Sequence, residues 1–216
     1  MHTTLAELSE KKIISILRGV TSADILPVAE ALYRGGIRFI EVTFNTSSLL
    51  AADDTLQSIR MLRKEMGGKM HIGAGTVFTP VQVELAADAG AEYILSPDMN
   101  PDVIRHTKEL GLLSFPGAFT PTEIQAAWTA GADMVKIFPA SLLGPVYFKA
   151  LKAPLSQVKL AAAGGIDESN IREFVKAGAD GLGLDNCLVN SDRVSRKAWL
   201  ELERIAGAFV TAVCHP

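Results

Sequence analysis

Gly131-Ala132-Asp133-Met134-Val135-Lys136-Ile137-Phe138-Pro139-Ala140 joins the end of a helical segment to a short run of strand-forming residues. Glycine ends a helix because it accepts the left-handed conformation, and here the chain passes directly from that stop into the strand. The same joint recurs at Gly36-Ile37, Gly90-Ala91, Gly111-Leu112 and Gly178-Ala179. Helix starts alternate with these stops. Ser22-Ala23-Asp24, Thr79-Pro80, Asn100-Pro101, Thr120-Pro121 and Asp167-Glu168-Ser169-Asn170 each offer a capping side chain or a first-turn proline to the free amides. The strand candidates number eight, at 13–19, 38–45, 71–77, 93–97, 112–118, 134–140, 158–165 and 181–188.

Eight βα units predict a closed (β/α)8 TIM barrel of the α/β class. Parallel neighbours need helical crossovers, and eight strands close around a core of side chains. An open doubly wound sheet would usually carry Gly-x-Gly-x-x-Gly after its first strand, where this chain has Leu17-Arg18-Gly19-Val20. No linker interrupts the pattern, so residues 1–216 are expected to form a single domain large enough to bury a substantial core.

Composition removes several classes of function. A formal charge of −3 and a pI near 5.8 give no basic field for a phosphate backbone, so nucleic acid is not an expected partner. The start, Met1-His2-Thr3-Thr4-Leu5, has no basic region followed by an apolar one, and no apolar stretch approaches bilayer length. No membrane association and a cytoplasmic location are the expectation. Cys187 and Cys214 build neither a disulfide framework nor a thiolate metal site. The histidines, His2, His71, His106 and His215, form no cluster at strand ends, so no metal is expected.

Lys136 stands inside an otherwise apolar strand. Desolvating an ammonium is expensive, so such an amine loses its proton, finds a partner, or extends its head to water or a substrate phosphate. Alternation along the second strand candidate puts Glu41, Thr43 and Asn45 on one face and Ile40, Val42 and Phe44 on the other. The apolar face suits the helices, which turns Glu41 into the barrel, as the same alternation turns Lys136 and Phe138. A structural ion pair is one outcome of that arrangement. The other is chemistry, because active sites of this architecture lie at the C-terminal ends of the strands. Arg18 ends the first strand, a cation suited to a carboxylate or phosphate fork. Gly73-Ala74-Gly75-Thr76 ends the third, with glycines that would let a ligand approach the backbone. Ala163-Gly164-Gly165 ends the seventh, as an anion nest or a tight turn.

An amine nucleophile, a carboxylate proton shuttle and an arginine for a carboxylate are the parts needed to form and use a Schiff base with a 2-oxo acid. The protonated imine is an electron sink that lets a nearby carbon-carbon bond break. A metal-dependent pyruvate aldolase would need ligands the sequence does not group. A non-catalytic sugar-acid-binding barrel would have no use for Lys136 together with Glu41.

Ile16-Leu17-Arg18-Gly19, Ile40-Glu41-Val42-Thr43-Phe44-Asn45, Ile72-Gly73-Ala74-Gly75-Thr76-Val77, Leu95-Ser96-Pro97, Phe115-Pro116-Gly117, Val135-Lys136-Ile137-Phe138-Pro139-Ala140 and Gly164-Gly165-Ile166 follow one another along the chain. This ordered set resembles the 2-keto-3-deoxy-6-phosphogluconate and 4-hydroxy-2-oxoglutarate aldolase family, the small class I pyruvate aldolases. The resemblance implies Lys136 as the Schiff-base lysine, Glu41 as general acid and base, and a substrate pocket containing Thr76, Pro97, Phe138, Gly164, Gly165, Asp185 and Asn186. It implies no cofactor beyond that lysine, a small-molecule 2-oxo acid as substrate, and a homotrimer. Family members carry the arginine for the pyruvate carboxylate on the first or second strand. Asn45 occupies the second-strand place here, so the role falls to Arg18, as in the branch resembling 2-dehydro-3-deoxy-6-phosphogalactonate aldolases. One departure concerns the far end of the substrate. Where phosphate-using relatives typically have threonine before the glycine pair and Gly-Ser at the end of the last strand, this chain has Ala163 and Asp185-Asn186. Asp185 would repel a phosphate unless it turns away or a cation such as Lys159 offsets it.

Overall fold

A computed structural model describes residues 3–45 and 49–216. Helix α1 (Thr3–Lys11) leads into β1 (Ile13–Leu17), α2 (Ile25–Arg34), β2 (Phe39–Thr43), α3 (Leu49–Met66) and β3 (His71–Gly75). There follow α4 (Pro80–Ala89), β4 (Tyr93–Leu95), α5 (Pro101–Glu109), β5 (Leu113–Phe115), β6 (Gly117–Ala118), α6 (Pro121–Thr129) and β7 (Val135–Ile137). The chain ends with α7 (Ala140–Lys152), β8 (Leu160–Ala163), α8 (Ile171–Lys176), β9 (Gly181–Leu184), α9 (Ser191–Ser195) and α10 (Trp199–Cys214).

The strands lie in the order β5-β4-β3-β2-β1-β9-β8-β7-β6, and their recorded pairings are parallel. The two ends of that order are halves of one strand, since only Pro116 separates β5 from β6. Proline has no amide hydrogen for a ladder. Its carbonyl nevertheless accepts from the Lys136 N–H at 2.8 Å, so the pairing carries on into β7. The sheet therefore closes as an eight-stranded TIM barrel, and each strand falls within one of the eight sequence candidates.

Alternation divides the core in two. Ile40, Val42, Ile72, Val135 and Ile137 face outward and pack with helix residues such as Val28, Leu32 and Ile59. Ile14, Phe39, Tyr93, Phe115 and Met134 form a separate cluster inside the barrel with Leu5 and Leu8. The last two belong to α1, which plugs the N-terminal end. The sequence reading assigned no helix there, because a nine-residue amphipathic segment before the first βα unit falls outside the repeat.

The Gly-Ala-Asp joints do more than stop helices. Asp133 Oδ2 accepts from the Ser114 N–H (2.9 Å) and from Lys108 Nζ (2.6 Å). Asp180 Oδ2 likewise accepts from the Leu160 N–H (2.9 Å) and from Lys152 Nζ (2.6 Å). Each acid thus ties the start of its strand to the neighbouring strand and to the helix before it. Gly90 and Gly131 close their helices at φ 102° and 108°, as their sequence positions require.

Thr79 and Thr120 form full capping boxes, and Asn100 caps α5. Two expected caps differ. Asp24 makes no side-chain cap on α2; Ser22 instead gives its N–H and hydroxyl to Asp54 on α3. Asn170 makes none on α8, because its amide oxygen accepts from the Asp167 N–H and its amide nitrogen donates to the Gly165 carbonyl. The charged stretch 192–204 is divided between α9 and α10 by a break around Lys197, at φ 52°.

His71 opens β3 at the plugged end. Its ring stacks on Phe39 at 4.7 Å and lies between Glu92 (2.5 Å) and Glu7 of α1 (3.2 Å). The hydrogen bond to Glu92, then that to Glu7, holds its pKa above the ordinary 6.5 against the opposing effect of burial. A raised folded-state pKa gives stability that is fully present below the unfolded value and lost as pH rises through the folded one. His71→Gln is therefore expected to destabilise the protein by about 1–2 kcal/mol at mildly acidic pH, the scale of a hydrogen bond to a charged group. The difference should shrink as pH rises. Urea unfolding of both proteins at several pH values checks this, and a pH-independent difference would contradict it.

Candidate active site

Lys136 projects inward from the middle of β7, in register with Gly117 on one side and Ala161 on the other. Both neighbours are small, which leaves the amine space instead of a packing partner. Lys136 is only 7% exposed, yet among the described residues its Nζ has no hydrogen-bond or ion-pair partner. Its nearest recorded contact is the Phe138 ring, 5.3 Å from Nζ to the centroid. Burial lowers its pKa, while the charge of Glu41 acts the other way. The site therefore favours the free amine.

Glu41 projects inward from β2 and is 2% exposed. Its Oε2 is buried without a partner. Burial raises its pKa, opposed by Lys136 and Arg18. No ion pair joins Glu41 to Lys136, so the structural-pair alternative is not the arrangement found. Gly75 makes the position possible: a Cβ there would lie 1.6 Å from Glu41 Oε1. A Cβ on Gly73 would lie 2.1 Å from the Tyr93 ring. The expectation that these glycines admit a ligand to the backbone is thus corrected, because the protein's own Glu41 and Tyr93 side chains fill the space. The next residue, Thr76, holds a left-handed φ of 60°, a strain of about 1–3 kcal/mol for a non-glycine residue.

Arg18, just past β1, gives its Nε to Asp185 Oδ2 at 3.3 Å. Its terminal nitrogens have no partner among the described residues. Asp185 follows β9, and its Oδ1 is buried with no partner among the described residues. The cation beside Asp185 is therefore Arg18. Lys159 bonds Ser9 and lies with Leu5 and Trp128 at the opposite end of the barrel, so it offsets nothing here. A cavity of about 440 Å³ opens at the ends of β1–β3, lined by residues including Arg18, Thr43, Asn45 and Thr76. Asp54 and Thr55 of α3 also line it, the former holding Ser22 and the latter bonding the Thr43 carbonyl. The sequence reading missed both, since they lie inside a helix rather than at a strand end.

The remaining expected residues divide. Phe138, 39% exposed, flanks the amine at the mouth. Pro97, two residues past β4, has its carbonyl against Gly117, where a Cβ would approach to 2.3 Å. Gly164 and Gly165 both have positive φ and pack against the Phe138 ring and Ser141, so the structure supports the tight turn, which holds Phe138 in place. Asn186 is exposed, with its carbonyl accepting from Asn190 Nδ2 at 3.2 Å. Among the described residues no group of three or more His, Cys, Asp or Glu side chains is placed to hold a metal ion.

A closed parallel barrel carrying a buried free amine and an unpaired carboxyl at its C-terminal mouth is the constitution of a class I aldolase. Comparison with known proteins supplies the family. A family model described as KDPG and KHG aldolase matches residues 5–205. A probable 2-dehydro-3-deoxy-6-phosphogalactonate aldolase of Rhizobium meliloti (strain 1021) is 39% identical over 180 residues, covering 83% of this chain and 82% of its own. The 2-dehydro-3-deoxy-6-phosphogalactonate aldolase of Escherichia coli (strain K12) is 37% identical over 202 residues, 93% of each chain. A KDPG aldolase structure from Legionella pneumophila, with pyruvate captured at low pH as a covalent carbinolamine, superposes at a TM-score of 0.84 with 26% identity, over 95% of this chain and 97% of its own. The chain belongs to the KDPG and KHG aldolase family. It is a carbon-carbon lyase that releases pyruvate and an aldehyde through a covalent lysine adduct.

The Gly75 contact generates a direct test. Gly75→Ala is expected to displace the Glu41 carboxyl and slow proton exchange at the methyl of pyruvate by about a hundredfold, the scale of a positioned acid-base group. Gly207→Ala, where a Cβ would meet nothing closer than 3.9 Å, should leave exchange unchanged. Deuterium uptake followed by NMR compares the two.

Proposed function

We propose that Lys136 is the Schiff-base lysine, Glu41 the general acid and base, and Arg18 the group that binds the carboxylate of the 2-oxo acid. The observation that carries this reading is the pair of opposite shifts in one buried space: an amine lowered in pKa and a carboxyl raised, unpaired with each other. The free amine attacks the C2 carbonyl. Glu41 protonates the departing hydroxyl of the carbinolamine, and water leaves a protonated imine. The C4 hydroxyl then gives its proton to Glu41, directly or through one water, as the electrons of the C3–C4 bond pass to the imine and the aldehyde departs. Glu41 returns the proton to C3 of the enamine. Hydrolysis frees pyruvate and restores the amine. Arg18 uses only Nε on Asp185, which leaves its terminal fork for the substrate carboxylate.

Borohydride reduction in the presence of pyruvate should add a single adduct to the peptide carrying Lys136, with none in Lys136→Met. The amine reacts neutral and burial lowers its pKa, so the trapping rate should rise with pH through an ionisation below the ordinary 10.5. An adduct on another lysine would overturn the assignment.

Two features of the far end of the site support an unphosphorylated substrate, or one of different charge, turned over at least as well as the 6-phosphogluconate-derived acid. Ala163 presents a methyl group, and Asp185 Oδ1 is a buried acceptor awaiting a donor. A substrate hydroxyl supplies that donor; a phosphate does not. Arg18 offsets part of the Asp185 charge, but it serves the other end of the substrate at the same time. Comparison of kcat/KM for 4-hydroxy-2-oxoglutarate, 2-keto-3-deoxygluconate and phosphorylated counterparts tests this reading. A tenfold preference for a phosphorylated acid, about 1.4 kcal/mol, would sink it.

A cytoplasmic homotrimer is the assembly the family resemblance supports. Leu142 and Val146 on α7, 77% and 85% exposed, are apolar surface that an assembly would cover. Among the described residues no helix is long and apolar enough to cross a membrane.

A further inference from the structure

Glu41, Gly73 and Tyr93 stand at one level on three adjacent strands, Glu41 in register with Gly73 on β3 and Gly73 with Tyr93 on β4. Because Gly73 has no side chain, the Tyr93 ring crosses β3 through the space a Cβ would occupy. Its hydroxyl donates to the Ile40 carbonyl of β2 at 2.7 Å. That carbonyl belongs to the peptide unit whose nitrogen is Glu41's own. Tyr93 is fully buried, with its ring 6.1 Å from that of Phe39 and 5.4 Å from that of Phe115, so the hydroxyl has a fixed origin. Glu41 has no such anchor at its tip. Among the described residues Oε2 lacks a partner, and Oε1 lies against Gly75. A carboxyl held by no hydrogen bond is placed only by its backbone and by the walls around it.

We propose that Tyr93 is a positioning residue for Glu41, fixing through the Ile40 carbonyl the stretch of β2 that carries the acid-base carboxyl. The proposal rests on the reading of Glu41 as the proton shuttle. Tyr93 touches no reacting atom; it acts on the proton transfers Glu41 makes, at the carbinolamine as well as at C3, and not on attack by Lys136, which projects from a different strand.

The test is Tyr93→Phe, which keeps the ring and removes the hydroxyl. The fraction of enzyme trapped by borohydride after full equilibration with pyruvate should stay within about twofold of the parent, because a proton shuttle sets how fast the imine forms and not how much stands at equilibrium, while proton exchange at the pyruvate methyl falls about tenfold, a fraction of the effect of a positioned acid-base group. In a Glu41→Gln background the same substitution should cost nothing further, because a residue that acts through another has no separate effect once that other is gone. Unchanged exchange in Tyr93→Phe overturns the proposal. So does an equal fall in the equilibrium trapped fraction and in exchange, or the same factor lost again in the Glu41→Gln background, since either marks a general structural role. If Glu41→Gln alone leaves exchange intact, the reading of Glu41 falls and the proposal falls with it; loss there without loss in Tyr93→Phe overturns the proposal alone. Tyr93→Leu is made alongside, and if neither variant folds, Tyr93 is structural and the proposal is wrong.

Discussion

An ammonium carried into the barrel on β7 loses its hydration, and no group among the described residues replaces it. For a group as buried as Lys136, keeping the charge would cost several kcal/mol, so the amine sheds its proton more readily than in water. Glu41 meets the same penalty from the other side and holds its proton more firmly. A direct ion pair would reverse both effects, raising the lysine and lowering the glutamate. Because the two are kept apart, desolvation shifts the amine toward its neutral form and the carboxyl toward its protonated form. In the reading proposed for this site, these are the nucleophile and the proton donor that the first steps of imine formation consume.

The separation is built from missing side chains. Around Lys136 the inward positions are Gly117 and Ala161, and beyond them Ala163, Gly181 and Gly183, all too small to reach across. On the opposite wall Phe39, Tyr93 and Phe115 fill the interior. Gly75 provides the place in which the Glu41 carboxyl rests. The barrel is thus packed on one side and open on the other, and the amine projects into the open part. Side-chain volume around the ring, more than any single contact, determines that a 2-oxo acid has somewhere to bind.

Periodicity made the fold legible from sequence. Every strand lies within its expected segment, because glycine stops and capped starts are local signals and a parallel barrel repeats them. Lys136 and Glu41 were legible for a related reason: a period of two leaves no choice of face once the outer face is apolar. Contacts between distant segments were not legible. The Arg18–Asp185 pair joins residues 167 positions apart. The occupation of Gly73 and Gly75 by Tyr93 and Glu41 depends on cross-strand register, which alternation within one strand does not fix. Helix α1 lay outside the repeat, and Asp54 and Thr55 lay inside a helix whose N-terminal turn is the only part that pattern reading connects to a barrel mouth.

The two ends of the barrel divide stability from chemistry. At the N-terminal end polar groups are paired: Asp133 and Asp180 each hold a backbone amide and a lysine, and His71 bridges α1 to Glu92 over a closed apolar plug. At the C-terminal end, among the described residues, Glu41 Oε2 and Asp185 Oδ1 are buried without partners, the Lys136 amine has none, and Thr76 holds a strained backbone. Each unmet group there costs stability of about 1–3 kcal/mol, and a chain that folds with several of them needs compensation elsewhere. The outer layer between strands and helices and the plugged floor supply it. In the proposed reading the unsatisfied groups are also the ones a 2-oxo acid would satisfy, with a carbonyl for the amine, a carboxylate for the Arg18 fork and hydroxyls for the two carboxyl groups. The features that make the empty mouth costly are therefore the ones that favour its occupied state, and substrate binding is expected to remove much of the penalty that folding left in place.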